Sequence, residues 1–343
     1  MPQNKKQQTD ISENEILQLS PSILDELLTD HSATHFMRLK ENDPRILVNI
    51  FWATDIYEQR YGKGKGFDYH DQITVDKITG KYGEVIQPRV NKTKEEQLKR
   101  VRENAEVFTP SWICNKQNNL VDESWFGRSN VFNKEIDEPF GEHSWSPTRK
   151  KILFPEAKTW VEYVREPRLE ITCGEAPYLV SRYDTITGNY IPIHKRVGLL
   201  DRKMRIVNEN CEDKAEWIRY SVEAVKSVYG FDWQGDNVLI AREAVYYSFL
   251  EYYKARFKEL PGIELQNQVA NIVAWNIWQM DGFKYVVPDS CHDFPVPSLF
   301  PDDNAEMTPC PGCSLNMPDK HNGIPCLIMD WEENETVKFN QLF

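Results

Sequence analysis

The run Arg168-Leu-Glu-Ile-Thr-Cys-Gly-Glu-Ala-Pro-Tyr-Leu179, followed by Val228-Tyr-Gly-Phe-Asp232, constrains this chain more than any other feature. Each is a short apolar segment that breaks into a turn, and residues 214–228 between them carry a helical apolar period. Two strands separated by a helix pair in parallel, and the crossover is right-handed. A second long helical pattern, 238–260 with Asp236 as its cap, is ended by Pro261-Gly262. An apolar stretch, 265–277, then leads into Trp278-Gln-Met-Asp-Gly282. The alternation predicts an α/β fold with a doubly wound, mostly parallel sheet.

The remainder falls on either side of that unit. Residues 1–104 read as an N-terminal helix and strand extension, 105–288 as the sheet domain, and 289–343 as a Cys/His-rich tail that is not sheet material. In the extension, Glu13–Leu17 and Ser22–Leu28 give an amphipathic helix signal, and 46–52 reads as a strand. Residues 72–75 and 83–87 are expected to pair across Gly80, and 92–104 to form a charged helix. Residues 124–158 are aromatic and turn-rich, a connector or lid.

With 343 residues, 40% of them hydrophobic and ten of them tryptophan, the chain can bury a full core. No apolar run approaches membrane-spanning length, and Met1 to Asp10 is polar without a secretory signature, so a cytoplasmic, membrane-free protein is expected. Seven cysteines, an odd number, point to thiols or metal ligands rather than a disulfide framework. The net charge of −12 argues against unaided binding to nucleic acid. Positive charge is local: Arg89 to Lys94 with Lys99-Arg100, Arg149-Lys-Lys151, and His194-Lys-Arg196 with Arg202-Lys203.

The strand ends carry the candidate chemistry. The Cys173-Gly174 turn lets backbone approach a ligand at the carboxyl edge of a parallel sheet. Asp232, closing the next strand, stands where a carboxylate bridges ribose hydroxyls, and Asp281 after the third can accept from an adenine amine. A nicotinamide enzyme is disfavoured, because no Gly-x-Gly-x-x-Gly run follows any strand. The tryptophans 233, 275 and 278 and the stripe Tyr246-Tyr-Ser-Phe-Leu-Glu-Tyr-Tyr253 read as core.

Val107-Phe-Thr-Pro-Ser-Trp-Ile-Cys-Asn115 resembles the aromatic-Thr-Pro segment of γ-arranged adenine-N6 DNA methyltransferases. Leu169-Glu-Ile-Thr-Cys-Gly174 is similar to the first sheet motif of that family. Tyr229-Gly-Phe-Asp232 with Ile240-Ala-Arg242 resembles the second, and Asn276-Ile-Trp-Gln-Met-Asp-Gly282 the third. From Ile46 onward the chain looks like the small proteins called restriction endonuclease subunit M. The resemblance implies a methyltransferase-like Rossmann fold and S-adenosylmethionine as cofactor. Phe108, Thr109 and Pro110 would shape the methionine pocket, and Glu170 would lie near the cofactor's amino group. Cys173 and Gly174 would present backbone, Asp232 would take the ribose and Asp281 the adenine amine.

Two departures stand out. Where the family has a second glycine this chain has Ala176, followed by Pro177. The catalytic Asn/Asp/Ser-Pro-Pro-aromatic loop is missing, for none of the twenty prolines forms a Pro-Pro pair. The nearest string, Asp137-Glu-Pro-Phe140, precedes the cofactor turn and reads as a surface turn. The expectation is therefore a cofactor-binding subunit of a DNA adenine methyltransferase in a restriction–modification or phage-defence system, with DNA as target. A partner chain would supply the loop and target recognition. The alternative is a catalytically inactive methyltransferase-like scaffold that binds DNA or proteins.

In the tail, Cys310-Pro-Gly-Cys313, His321 and Cys326 have the spacing of a structural tetrahedral zinc site. Cys291 and His292 are substitutes for any one ligand.

Overall fold

The computed structural model describes residues 11–104, 106–137, 141, 143–295 and 307–342. The helices ahead of the sheet are α1 Glu13–Leu19, α2 Pro21–Leu28, α3 His31–Glu41, α4 Ile56–Tyr61, α5 Val75–Ile78, α6 Lys94–Asn104, α7 Ser111–Phe126 and α8 Trp160–Arg165. A hairpin, β1 Asn133–Asp137 with β2 His143–Pro147, lies between α7 and α8. The string at 137–140 falls mostly outside the described residues.

The sheet consists of β3 Arg168–Ile171, β4 Val228–Asp232 and β5 Ile277–Gln279, all parallel, in the order β3-β4-β5. α9 Leu199–Asn210 and α10 Lys214–Lys226 join β3 to β4, and α11 Gly235–Phe257 and α12 Ile263–Asn276 join β4 to β5. The fold is thus mixed α/β around a small parallel sheet. The strand order follows the chain without a reversal among the described residues.

Alternation separates the two faces of the sheet. Glu170, Gly230 and Ile277 are register partners on one face, as are Asp232 and Gln279. Ile277 belongs to the main core, with α2 and α9–α12. The other face carries Leu169, Ile171, Tyr229, Phe231 and Trp278. Here the tail covers β4 and β5: Phe231 and Trp278 pack with Met280, Val287, Cys326 and Phe339. Over β3 that cover stops, leaving Leu169 39% and Ile171 66% exposed. No described strand pairs with the outer edge of β3.

The N-terminal segment is part of the same core, with Ile23, Leu24, Leu27 and Leu28 of α2 fully buried in it. Arg242 of α11 ties it to the sheet, donating to the carbonyls of Leu27, Thr29, Ala274 and Ile277. Residues 46–52 form no strand, only bridges from Asn49 to Thr29 and Phe51 to Gln72. The reason lies at the end of β5. The Gln279 side-chain amide bonds both N–H and C=O of Phe51, at 3.0 and 2.9 Å, and takes the place of a ladder.

The expected hairpin at 72–87 is α5 and a 3₁₀ turn, Gly80–Tyr82. α1 is packed onto it, for Asn14 accepts from Gly80 N, and a Cβ on Gly83 would lie 2.0 Å from Asn14 Nδ2. The tail does contain strands, contrary to the sequence reading: the pairs β6 Phe294–Pro295 with β7 Met307–Thr308 and β8 Leu327–Asp330 with β9 Glu335–Lys338. A short helix, α13 Pro311–Leu315, lies between them.

Candidate functional sites: the carboxyl edge and a cysteine–histidine cluster

Strands β3, β4 and β5 end in Ile171, Asp232 and Gln279, so the residues that follow them share one edge. After β3 the chain turns sharply: Thr172, Gly174 and Ala176 have φ of +50°, +53° and +57°. Such left-handed residues cost roughly 1–2 kcal/mol each when they carry a Cβ. Ala176 therefore holds a left-handed backbone that glycine would adopt without that cost. Space for the turn comes from Gly230, where a Cβ would lie 3.2 Å from both Cβ and Sγ of Cys173.

The turn is fastened to β4 by its own backbone. Cys173 N donates to Phe231 O at 2.8 Å, and Gly174 N to Asp232 Oδ2 at 2.9 Å. Asp232 Oδ1 accepts from Gln234 N at 3.0 Å and Asn237 Nδ2 at 3.4 Å. Three of its roughly four lone-pair positions are thus filled. Burial raises Asp232 to about 6, against the lowering effect of the Gln234 and Gly174 N–H groups. Phe108 closes the other side, its ring 3.8 Å from where a Gly174 Cβ would stand.

Glu170 lies beneath the turn and accepts from Tyr178 N and Leu179 N at 3.2 and 3.1 Å. Burial raises it to about 8 despite those two donors, and the nearby Asp232 charge adds to the rise. Burial pushes the Cys173 thiol well up, which disfavours the nucleophilic thiolate. Thr109 O accepts from Thr185 Oγ1 at 2.8 Å, and Pro110 precedes α7, whose Ser111 N is capped by Asp184 at 2.7 Å.

Asp281 follows β5 at the same edge. Its Oδ1 accepts from Phe283 N and Lys284 N at 2.9 and 3.1 Å, and Lys284 Nζ lies 3.3 Å from Oδ2. The carboxylate is engaged by its own turn. Two neighbours of Asp232 that the sequence reading did not single out complete the site: Asn237, and Glu106, which accepts from Asn237 Nδ2 at 2.9 Å and pairs with Arg100. Arg100 also reaches Asp236 at 2.5 Å, so Asp236 serves this buried network rather than capping α11, whose cap is Gln234. The tryptophans serve packing: Trp278 is buried, Trp275 stacks on His31 at 4.1 Å, and Trp233 Nε1 donates to Tyr69.

The second site is in the tail. Cys291, Cys310, Cys313 and His321 converge, with their ligand atoms within 4.8 Å of one another. From His321 Nδ1 the sulfurs of Cys291, Cys310 and Cys313 are 3.4, 3.7 and 3.6 Å away. With ordinary zinc–sulfur and zinc–nitrogen bond lengths, a tetrahedral site separates such atoms by about 3.6 Å. The four donors therefore fit a tetrahedral metal ion.

The local sequence explains the arrangement. Cys310 and Cys313 bracket the start of α13, and Gly312 lets His321 close in, for a Cβ there would lie 2.6 Å from its Cγ. Asn322 exchanges hydrogen bonds with the backbone of His292, at 3.1 and 2.6 Å, which brings Cys291 alongside. Although burial opposes it, the N–H groups of Asn322 and Cys313, with His321 and Cys291, bring the Cys310 thiol down to about 6. A lowered thiol pKa suits a metal ligand.

Cys326 is not in this cluster, which corrects the sequence assignment. Its side chain packs with Phe231, Trp278 and Phe339, its Sγ reaches Gln279 O at 3.6 Å, and burial raises its thiol well up. Ahead of β8 the chain turns Cys326 toward the sheet, and Cys291 supplies the fourth ligand. Among the described residues His292 contributes backbone bonds, and its Nδ1 approaches Ser290 O at 3.4 Å.

No helix among the described residues is long and apolar enough to cross a membrane. No protein-family model, curated protein or solved structure matches this chain.

Proposed function

We propose that the chain is the S-adenosylmethionine-binding subunit of a DNA adenine-N6 methyltransferase of a restriction–modification or phage-defence type. The observation that carries this reading is the 2.9 Å bond from Gly174 N to Asp232 Oδ2. It joins a tight first turn to the acid ending the second strand of a parallel sheet, the edge on which adenosine cofactors bind. The glycine-like backbone at Ala176 (φ +57°) supports the same reading. Asp232, with about one lone-pair position open, would accept from the ribose, and the Gly174 backbone would flank it. Phe108, Thr109 and Pro110 would hold the methionine part. The bound cofactor would supply the methyl group, while the protein residues bind and orient it.

A doubly wound sheet has two βαβαβ halves and strand order 3-2-1-4-5-6. On this reading the order β3-β4-β5 would be one such half. The second half would join at the unpaired edge of β3, where Leu169 and Ile171 stand exposed. This chain also lacks the Pro-Pro loop and carries a net charge of −12. A partner chain docked on β3, bringing the loop and a basic DNA-binding surface, would remedy all three. The cysteine–histidine cluster would hold a structural zinc, because all four positions are taken by protein.

The second reading, a methyltransferase-like scaffold without cofactor, draws on Asp281, whose oxygens are engaged by their own turn. Ultraviolet cross-linking of labelled S-adenosylmethionine, followed by peptide mapping, decides between the two. Label in peptides spanning 105–115, 168–179 or 228–237 is expected; label elsewhere or nowhere favours the scaffold.

A further inference from the structure

A cavity of about 550 Å³ lies between the β1–β2 hairpin and α9. Its walls are Trp145 to Arg149 on the hairpin side and Ile193 to Val197 with Arg202 and Arg205 on the other. Five arginine or lysine side chains line it (Arg149, Lys195, Arg196, Arg202 and Arg205) against the two carboxylates of Asp201 and Glu209. In a chain of net charge −12 this is a marked local reversal.

The cations divide by role. Arg202 pairs with buried Asp122. Arg205 bonds Glu209 and the carbonyls of Phe132 and Thr148, holding the base of the hairpin on α9. Trp145 Nε1 donates to Lys195 O at 2.7 Å and fixes the hairpin to the opposite wall. These bonds build the cleft. Among the described residues the charged groups of Arg149 and Lys195 have no partner and stay exposed, as does the His194 ring. Arg196 is the informative one. Its side chain is fully buried and pairs with Glu251 through Nη2, yet among the described residues its Nη1 has no hydrogen-bond partner. A buried guanidinium N–H without an acceptor is costly, so an acceptor from a ligand is the natural complement.

We propose that this cleft binds the phosphate of a nucleotide. Arg196, Arg149 and Lys195 take the phosphate oxygens, and the half-buried Trp145 ring offers the base a stacking surface. The volume lies within the range of small-molecule sites and accommodates one nucleotide. The cleft stands independently of the cofactor edge, although the two are adjacent in the fold: Leu199 N bonds Tyr178 O, and Tyr178 N bonds Glu170.

The phosphate can come from a single strand of nucleic acid or from a free nucleotide, and fluorescence anisotropy separates them. The full chain is titrated into a labelled eight-residue oligothymidylate at several salt concentrations, with thymidine 5′-monophosphate as competitor. Binding in the micromolar range is expected. Arg149→Gln with Lys195→Gln, both exposed, should weaken it at least tenfold and reduce the log–log salt slope by about 1.4, at about 0.7 per phosphate contact on a single strand. Trp145→Ala should lower affinity while leaving that slope unchanged. Competition by the mononucleotide at similar concentration identifies a free nucleotide as the ligand; its failure to compete identifies the strand. Absence of binding to both probes, or binding that both variants leave untouched while circular dichroism shows them folded, overturns the proposal.

Discussion

Cys291 and Cys326 separate the sequence reading of the metal site from the structural one, and a pair of serine substitutions tests them. The Cys291 sulfur lies 3.4 Å from His321 Nδ1, against about 3.6 Å for two ligands of one tetrahedral zinc. Cys326 instead donates to Gln279 O and is 1% exposed in the apolar layer beneath the tail. Cys291→Ser removes one of three thiolates, and metal affinity should fall by at least about 100-fold, with the content of the purified protein dropping from about one equivalent toward zero. Cys326→Ser should keep one equivalent. Its hydroxyl sits in an apolar site, so stability should fall by about 1–3 kcal/mol. Elemental analysis of tag-free preparations, with urea unfolding alongside, reads both effects. Full metal in Cys291→Ser together with metal loss in Cys326→Ser would refute the assignment.

Glu170 and Asp232 give a pH prediction. Both are raised, to about 8 and about 6, chiefly by burial. Between pH 4.5 and 8 the folded state holds a proton on Glu170 that the unfolded chain has released, so stability falls as pH rises, by up to about 1.4 kcal/mol per pH unit. Urea midpoints of Glu170→Gln should show a shallower decline over that window; a slope equal to wild type would contradict the burial argument. Ile171→Asp, on the open face of β3, should leave the melting temperature nearly unchanged yet abolish co-purification with a partner carrying a Pro-Pro-aromatic loop. Persistence of the complex would place docking elsewhere. The isolated chain should transfer negligible labelled methyl to DNA, and robust transfer would mean that a loop of its own does the chemistry.

The strand–helix alternation from 168 onward was readable because each element is long, periodic and bounded by turn chemistry. β4 matches its expected bounds, and α10 ends two residues early, at Lys226. The reading failed where side chains replaced backbone pairing, as with Gln279 on Phe51 and Asn14 on the turn at Gly80, since such contacts leave no period in the sequence. The knuckle Cys310-Pro-Gly-Cys313 was legible from its spacing. The fourth ligand was legible only as a substitute, Cys291 beside the first choice Cys326, because Cys291 reaches the site through Asn322 bonding to His292, a tertiary contact. At the edge, Gly174 and Asp232 were found together as expected, whereas the engagement of Asp281 by Lys284 follows from a turn that no spacing rule fixes.

Calorimetric titration of the purified chain with S-adenosylmethionine tests the central claim most directly, because it needs neither partner nor DNA. One binding event per chain with a dissociation constant below about 1 mM is expected. Asp232→Ala, which strands the Gly174 and Gln234 N–H groups as well as the ribose, should weaken it by about 1–3 kcal/mol, a factor of roughly 5 to 150. No heat at millimolar cofactor, from a protein shown to be folded and metal-loaded, would contradict the account.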